Sequence, residues 1–266
     1  MHAMLNIAVR AARNAGDIIS RAVDRLDTVT VTSKARNDFV SEIDHRAEQE
    51  IIAVIRKAYP SHALLAEESG VLGGDDFEWV IDPLDGTTNF LHGFPQFAVS
   101  IAVRHKGRLE HAVVYDPLRQ ELFTASRGGG AQLNAKRIRV SSQKNLEGAL
   151  LGTGFPYSQM THLDAYLAMF KALIEPTAGI RRPGSAALDL AYVAAGRFDG
   201  FWEIGLKPWD MAAGMLLIQE AGGLVSDLCG NSKALETGNI VAGTPKVFKA
   251  MLQTIRPHLS GALLEG

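Results

Sequence analysis

Apolar residues recur at three- and four-residue spacing from the start of the chain: Leu5, Val9, Ala12, Ala15, Ile19 and Val23, with Leu26 continuing the stripe. That spacing places them on one face of a helix of several turns. Alternation through Thr28-Val29-Thr30-Val31-Thr32 then predicts a short strand, which runs into a polar turn, Lys34-Ala35-Arg36-Asn37-Asp38. The helical period returns with Ile43, Ala47, Ile51, Val54 and Ile55. Tyr59-Pro60 closes that helix, because a residue before proline is pushed out of the helical region.

From Ala63 the apolar runs shorten to strand length, at 63–66, 79–81, 97–103, 111–115 and 121–125. The last two flank the turn sequence Asp116-Pro117-Leu118-Arg119, so they predict an antiparallel hairpin, and strands continue through 127–131. The second half alternates more regularly: strand 149–153, helix 162–174, helix 184–195, strand 200–203, helix 210–221, strand 239–242 and helix 245–255. Such a mixture predicts an α/β (α+β) architecture of layered sheets and helices. One domain, 1–266, is expected, with two pseudo-halves, about 1–145 and 146–266, and no low-complexity linker between them.

Composition works mainly by exclusion. A formal net charge of −2 over 266 residues argues against a general nucleic-acid binder, whose binding face is normally basic. Cys229 is the single cysteine, which rules out an internal disulfide framework or a cysteine-based zinc site; it reads as a small structural residue. The first residues lack the apolar core of a signal peptide, and no stretch approaches the ~20 apolar residues of a membrane span. A cytoplasmic protein is expected.

Candidate chemistry concentrates in Trp79-Val80-Ile81-Asp82-Pro83-Leu84-Asp85-Gly86-Thr87-Thr88-Asn89-Phe90. An apolar strand runs into two aspartates, Pro83 ends its regular pairing, Gly86 permits a tight turn, and Thr87 or Thr88 is a natural helix N-cap. Free N–H groups at such a helix start make an anion site beside a cation site. Two carboxylates ~4 Å apart repel by ~4 kcal/mol at an effective dielectric near 20, and a hard divalent cation relieves that repulsion while recruiting further oxygens. Glu67 and Glu68 close the preceding strand, and Asp210 opens a helix after Lys207-Pro208-Trp209. An oxygen-only ligand set favours magnesium or manganese over zinc. Read alone, Asp44 is a first-turn acid favoured by the helix dipole sooner than a catalytic group, Glu203 can be a strand-end charge, and Arg181-Arg182 a surface, substrate or interface pair. Gly128-Gly129-Gly130 lacks the lysine and helix of a phosphate loop and reads as a turn.

With Trp79 to Asn89, Trp209-Asp210-Met211-Ala212-Ala213-Gly214, Ala66-Glu67-Glu68-Ser69 and Gly184-Ser185-Ala186-Ala187, the chain resembles the inositol monophosphatase family along its whole length. The resemblance implies an αβαβα sandwich, usually dimeric, and a lithium-sensitive phosphatase for myo-inositol monophosphate and related polyol or sugar phosphates. It implies two or three Mg2+ ions held by Glu67, Asp82, the Leu84 carbonyl, Asp85 and Asp210. It further implies that Thr87 and Glu67 activate the attacking water, with Asp44 steadying Thr87. Gly86 and Thr87 would hold the phosphate, and Glu203, Arg181, Gly184, Ser185 and Ala186 would meet the polyol. A bacterial branch of the family is also associated with ribosomal RNA synthesis, as a partner of the RNA polymerase antitermination machinery. That protein-binding role is the alternative function. Fructose-bisphosphate and nucleoside-bisphosphate phosphatases share the aspartate motif but need further pockets.

Overall fold

The long N-terminal stripe folds as expected. In the computed structural model, which describes residues 2–35 and 38–265, His2 caps helix α1 (Ala3–Val23) by accepting the Met4 N–H at 3.3 Å. Leu5, Ala8, Ala12, Ala15 and Ile19 form the buried face, while Val9 and Val23 sit at its margin. Small residues let the helix lie close to the sheet: a Cβ added at Gly16 would come within 2.5 Å of the Tyr115 ring.

The next element differs from expectation. Residues Leu26–Thr28 form a 3-10 turn, so pairing starts later, between β1 (Val31–Ala35) and the antiparallel β2 (Asp38–Ser41). Lys34, Ala35 and Asp38 of the predicted turn therefore belong to strands, and its Arg36 and Asn37 lie outside the described residues. Ser41 then caps α2 (Glu42–Ala58), which buries Ile43, Ala47, Ile51 and Ile55.

An eight-stranded sheet follows, built from β3 (Ala63–Ala66), β4 (Gly70–Leu72), β5 (Phe77–Asp85), β6 (Ala98–His105), β7 (Arg108–Asp116), β8 (Glu121–Ser126), β9 (Gly130–Leu133) and β10 (Lys136–Arg137). A short helix, α3 (Thr87–Leu91), lies between β5 and β6. The strand order is β10-β9-β8-β7-β6-β5-β3-β4, and every neighbouring pair is antiparallel except β3 with β5. The predicted hairpin is β7–β8, where Asp116 Oδ1 accepts the N–H groups of Leu118 and Arg119 at 3.0 and 2.9 Å. The triple-glycine segment is a turn, and its Gly128 and Gly130 N–H groups donate to the Glu220 carboxylate at 2.8 Å each. That internal carboxylate occupies the place an external anion would need.

The second half supplies β11 (Leu150–Thr153), α4 (Leu163–Ile174), β12 (Gly179–Arg181), α5 (Ala186–Ala194), β13 (Gly200–Glu203), α6 (Pro208–Glu220), β14 (Leu224–Ser226), α7 (Ala234–Thr237), β15 (Ile240–Gly243), α8 (Pro245–Ile255) and α9 (Ala262–Glu265). Its five strands run in the order β12-β11-β13-β15-β14; β11 is parallel to both neighbours, and β15 is antiparallel to both of its own. Strands β12 and β14 have three residues each, too few to register as an alternating pattern. Cys229 is exposed rather than packed, with its Sγ 3.3 Å from the Leu263 carbonyl.

Three cores separate five layers. Helices α1 and α2 cover one face of the large sheet through Trp79, Ile81, Val99, Ile101 and Val103. The other face offers mostly small residues, including Ala98, Ala102 and Ala112, to α5 and α6, which also pack on Phe201, Ile240 and Ala242 of the second sheet. Helices α4 and α8 close the far side through Tyr166, Met169, Val247 and Met251. The result is the αβαβα sandwich. Helix α6 sits between two sheets, so Met211 to Ile218 are all buried and the sequence shows no polar stripe there.

The middle layer depends on close helix approach. A Cβ added at Gly214 of α6 would overlap the Leu190 side chain of α5 at its Cβ, an atom that cannot swing away. Helix propensity alone would make Gly214→Ala stabilising by ~1 kcal/mol, whereas overpacking costs about 1–3 kcal/mol. Packing should win, so urea denaturation of Gly214→Ala should give a lower midpoint at unchanged slope. A midpoint above the wild type's would show that the two helices have room to part.

Candidate active site

The strand that carries the two aspartates is bent by its own sequence. In β5, Asp82 pairs with Ser100 and Asp85 with Ala98, so two residues, Pro83 and Leu84, stand opposite one. Proline has no N–H to give the ladder, and the outcome is a β-bulge rather than the expected end of pairing. The bulge turns both carboxylates toward the end of the strand. Gly86 follows at φ 95°, and a side chain there would be strained and would press within 2.8 Å of the Gln96 carbonyl. Gly86, not Thr87 or Thr88, is the N-cap of α3; Thr87 is its first helical residue.

That placement frees the Thr87 hydroxyl for another task. Its Oγ1 lies 2.9 Å from Asp44 Oδ1 and 3.0 Å from the Leu84 carbonyl. Asp44 in turn closes a capping box, its Oδ2 accepting the Ser41 N–H at 2.8 Å and the Ser41 hydroxyl at 2.5 Å. The helix-terminus and Thr87-holding readings of Asp44 thus describe one buried carboxyl with two jobs. Burial raises its pKa, and hydrogen bonds from Ser41 and Thr87 oppose that rise.

The third aspartate arrives from the other half. Helix α6 begins at Pro208, two residues earlier than expected, so Asp210 sits at its third position rather than opening it. There its Oδ2 accepts the Lys207 N–H at 2.7 Å, the arrangement that satisfies a free donor at a helix start. Ser100 of β6 donates to the Trp209 carbonyl at 3.1 Å, tying that start to the large sheet, and Trp209 packs at the edge of the middle core.

One carboxylate oxygen from each of Asp82, Asp85 and Asp210 lies within 4.8 Å of the others. Glu67, the residue after β3, hydrogen-bonds the Asp82 side chain. Burial, followed by the charges of Glu67, Asp85 and Asp210, holds the Asp82 carboxyl well above the usual carboxylate range. Burial also lifts Asp85 to about 6, although the Ser185 hydroxyl at 2.5 Å and the Ala187 and Ala186 N–H groups pull the other way. For Asp210, burial and then the Asp85 charge have the same raising effect. Three converging oxygen donors, each with a pKa raised chiefly by burial, fit a hard divalent cation.

Beside this triad is a cleft of about 140 Å³ walled by Asp85, Gly184, Ser185, Ala186, Glu203 and Asp210. Expected residues from both halves therefore meet. Helix α5 starts at Ala186 rather than at Gly184, whose φ of 91° is not helical; Ser185 holds the N-cap position, but its hydroxyl binds Asp85 instead of capping the helix. Arg181 is the exception: it is exposed on β12 and does not line the cleft. Its neighbour Arg182 does, with its guanidinium 5.0 and 5.3 Å from the Phe155 and Tyr157 ring centres.

Several residues here were not singled out from the sequence. Buried Glu48 accepts the Glu68 N–H at 2.8 Å and the Ser69 hydroxyl at 2.5 Å, fixing the loop that carries Glu67. Asn89 Nδ2 lies within 3.1 Å of the Gln96, Pro183 and Gly184 carbonyls, so the end of the aspartate motif is stitched to the cleft wall. Gly154 leaves the space that the Glu203 carboxylate fills. Asp189 also lines the cleft, and its signal was legible: a lone acid in the otherwise uncharged run Ala186–Ala194.

Residues 1–260 match the inositol monophosphatase family. The chain belongs to the inositol monophosphatase family. It is 63% identical over 269 residues to the Nus factor SuhB of Pseudomonas aeruginosa, with 99% of each chain covered. Among solved structures it resembles the extragenic suppressor protein SuhB of Bartonella henselae at TM-score 0.94 and 43% identity, covering 97% of this chain and 100% of that one. The inositol monophosphatase of Anabaena (Nostoc) sp. superposes at TM-score 0.86 and 39% identity, covering 96% and 95%. The match extends across both halves that build the cleft, and the acidic triad could hold a metal as inositol monophosphatases do.

The raised carboxyl pKa values carry a sign that can be measured. A carboxyl whose folded pKa, about 6 for Asp85, exceeds its unfolded value near ~4 stabilises the fold at low pH. That contribution is lost as pH rises through 6. Chelator-treated protein should therefore melt at a lower temperature at pH 7.5 than at pH 5.5, and saturating Mg2+ should shrink the difference. A metal-free melting temperature that climbs over this interval would contradict the electrostatics of the site.

Proposed function

We propose that the protein is a magnesium-dependent phosphatase acting on small polyol phosphate monoesters, myo-inositol monophosphate among them. The observation that carries this reading is the convergence of Asp82, Asp85 and Asp210 within 4.8 Å, beside a Thr87 hydroxyl held on Asp44. Two or three Mg2+ ions, held by Glu67, Asp82, the Leu84 carbonyl, Asp85 and Asp210, would neutralise the phosphoryl oxygens and the leaving alkoxide. The remaining tasks fall to the chain. A hydroxyl that donates its hydrogen to Asp44 keeps its lone pairs for a water proton, so Thr87 orients the nucleophile. Glu67, as a carboxylate, receives that water's proton. Backbone groups of Gly86 and Thr87 position the phosphoryl oxygens, and the Glu203 carboxylate accepts hydrogen bonds from the hydroxyls of the alcohol.

A second reading rests on the 63% identity to a protein named as a Nus factor. In that role the chain would bind the RNA polymerase antitermination machinery as a protein partner. The near-neutral charge of −2 suits protein contact better than a direct grip on RNA. The two roles can coexist in one molecule.

Phosphate release from myo-inositol 1-phosphate should vanish in excess chelator and return with magnesium; undiminished turnover in chelator would sink the metal-dependent mechanism. Asp85→Asn keeps the shape of the side chain while removing one charge from the triad. It should lower kcat by at least ~100-fold, a barrier increase of ~2.7 kcal/mol, while the melting temperature changes little. Binding to the RNA polymerase machinery should survive that substitution, and its parallel loss in a folded variant would tie the two roles together. Glu203→Gln should raise KM for inositol 1-phosphate more than for an aryl phosphate, which offers no hydroxyls to that side chain. Equal changes for both esters would remove Glu203 from substrate choice.

A further inference from the structure

The geometry points to Asp189 as a second specificity residue, which together with Glu203 receives the hydroxyls of a polyol with several free hydroxyl groups next to its phosphate ester. This rests on the phosphatase reading above. Asp189 is 1% exposed, and its Oδ1 has no hydrogen-bond partner. It nevertheless belongs to the wall of the 140 Å³ cleft, alongside Glu203, Arg182 and Thr153. A buried polar atom without a partner is costly and is rarely retained in a folded protein without a reason. Of the four such atoms among the described residues, the Asp189 oxygen is the one in the cleft wall.

The surrounding helix shows that packing does not call for an acid. Ala186, Ala187, Leu188, Leu190, Ala191, Val193 and Ala194 of α5 are all buried and all apolar. A leucine would satisfy the same core. The helix is also fixed in relation to the reaction centre, because Ser185 and Ala187 grip Asp85 at 2.5 and 2.8 Å. Asp189 lies two residues beyond Ala187 on that anchored segment, and its backbone N–H is tied to the Ser185 carbonyl at 3.0 Å. The segment that carries Asp189 is therefore fixed relative to Asp85. Across the cleft, Glu203 is held in the space left by Gly154.

Two carboxyl groups facing one small cleft, with the Arg182 guanidinium beside them, suit a ligand rich in hydroxyls. Each hydroxyl can donate to a carboxylate oxygen and accept from the guanidinium. An alcohol with a single hydroxyl, once esterified, would leave Asp189 unpaired, and so would an aromatic ring. A site built to bind a hydroxyl discriminates strongly against analogues that lack it, because its buried polar group then loses its partner. The expected preference is for cyclitol and sugar monophosphates over aryl phosphates.

The test compares wild type, Asp189→Leu and Asp189→Asn in steady-state hydrolysis of myo-inositol 1-phosphate and phenyl phosphate with magnesium. Asp189→Leu should cut the ratio of kcat/KM values, inositol over phenyl, at least tenfold, chiefly through KM. Asp189→Asn, which keeps one acceptor, should reduce it by a smaller factor. The leucine variant should melt no lower than wild type, because it removes an unpartnered buried carboxyl. An unchanged ratio, or equal losses on both esters, would overturn the assignment and leave Asp189 a structural or cation-holding residue. If the wild type hydrolyses neither ester, the phosphatase reading fails by itself. Calorimetric binding of myo-inositol 1-phosphate then decides the role of Asp189: at least tenfold weaker binding by Asp189→Leu supports it, and equal binding overturns it.

Discussion

Three buried or half-buried carboxylates, brought together from two separate elements, set the terms for this structure. Asp82 and Asp85 come from the bulged end of β5, and Asp210 comes from the first turn of α6. Holding them within 4.8 Å works against both desolvation and mutual repulsion, so each is restrained by a specific device. Pro83 makes the bulge, Ser185 and the start of α5 grip Asp85, and the Lys207 N–H grips Asp210. Asn89 and Ser100 then join the pieces that carry these devices. Much of the middle layer can be understood as the scaffold that keeps like charges close until a cation offsets them.

The same devices explain why the site spans both sheets. No single strand end could present three carboxylates in one direction, because side chains alternate sides along a strand. Bringing in a helix start from the second half solves that problem, and it requires α6 to lie flat on the large sheet. The alanines at 98, 102 and 112 and the glycine at 214 supply the thinness that this approach needs. Packing and chemistry are therefore coupled in α6: the helix that fills the middle core also delivers Asp210.

Much of this could be read from the sequence, for identifiable reasons. Long amphipathic stripes such as those of α1 and α2, and the β7–β8 hairpin with its Asp116 turn, carry their own periodicity and were placed within a few residues. The aspartate string was legible because strand, bulge and turn lie within a dozen consecutive residues. What escaped were features set by distant contacts. Thr87 is not an N-cap, because Gly86 takes that position and the hydroxyl turns to Asp44, 43 residues earlier. Arg182 rather than Arg181 lines the cleft, a difference of one residue that depends on the end of a three-residue strand. Strands β12 and β14 are made by their neighbours more than by their own pattern.

The central claim is that the triad is poised to exchange protons for a divalent cation. Calorimetric titration of the metal-free protein with Mg2+, repeated in buffers of different ionisation enthalpy, counts the protons released. With Asp85 near 6 and Asp82 and Asp210 also raised, magnesium binding at pH 6 should release protons, and more per ion than at pH 8. Magnesium binding with no proton release at either pH, or no magnesium binding at all, would contradict it.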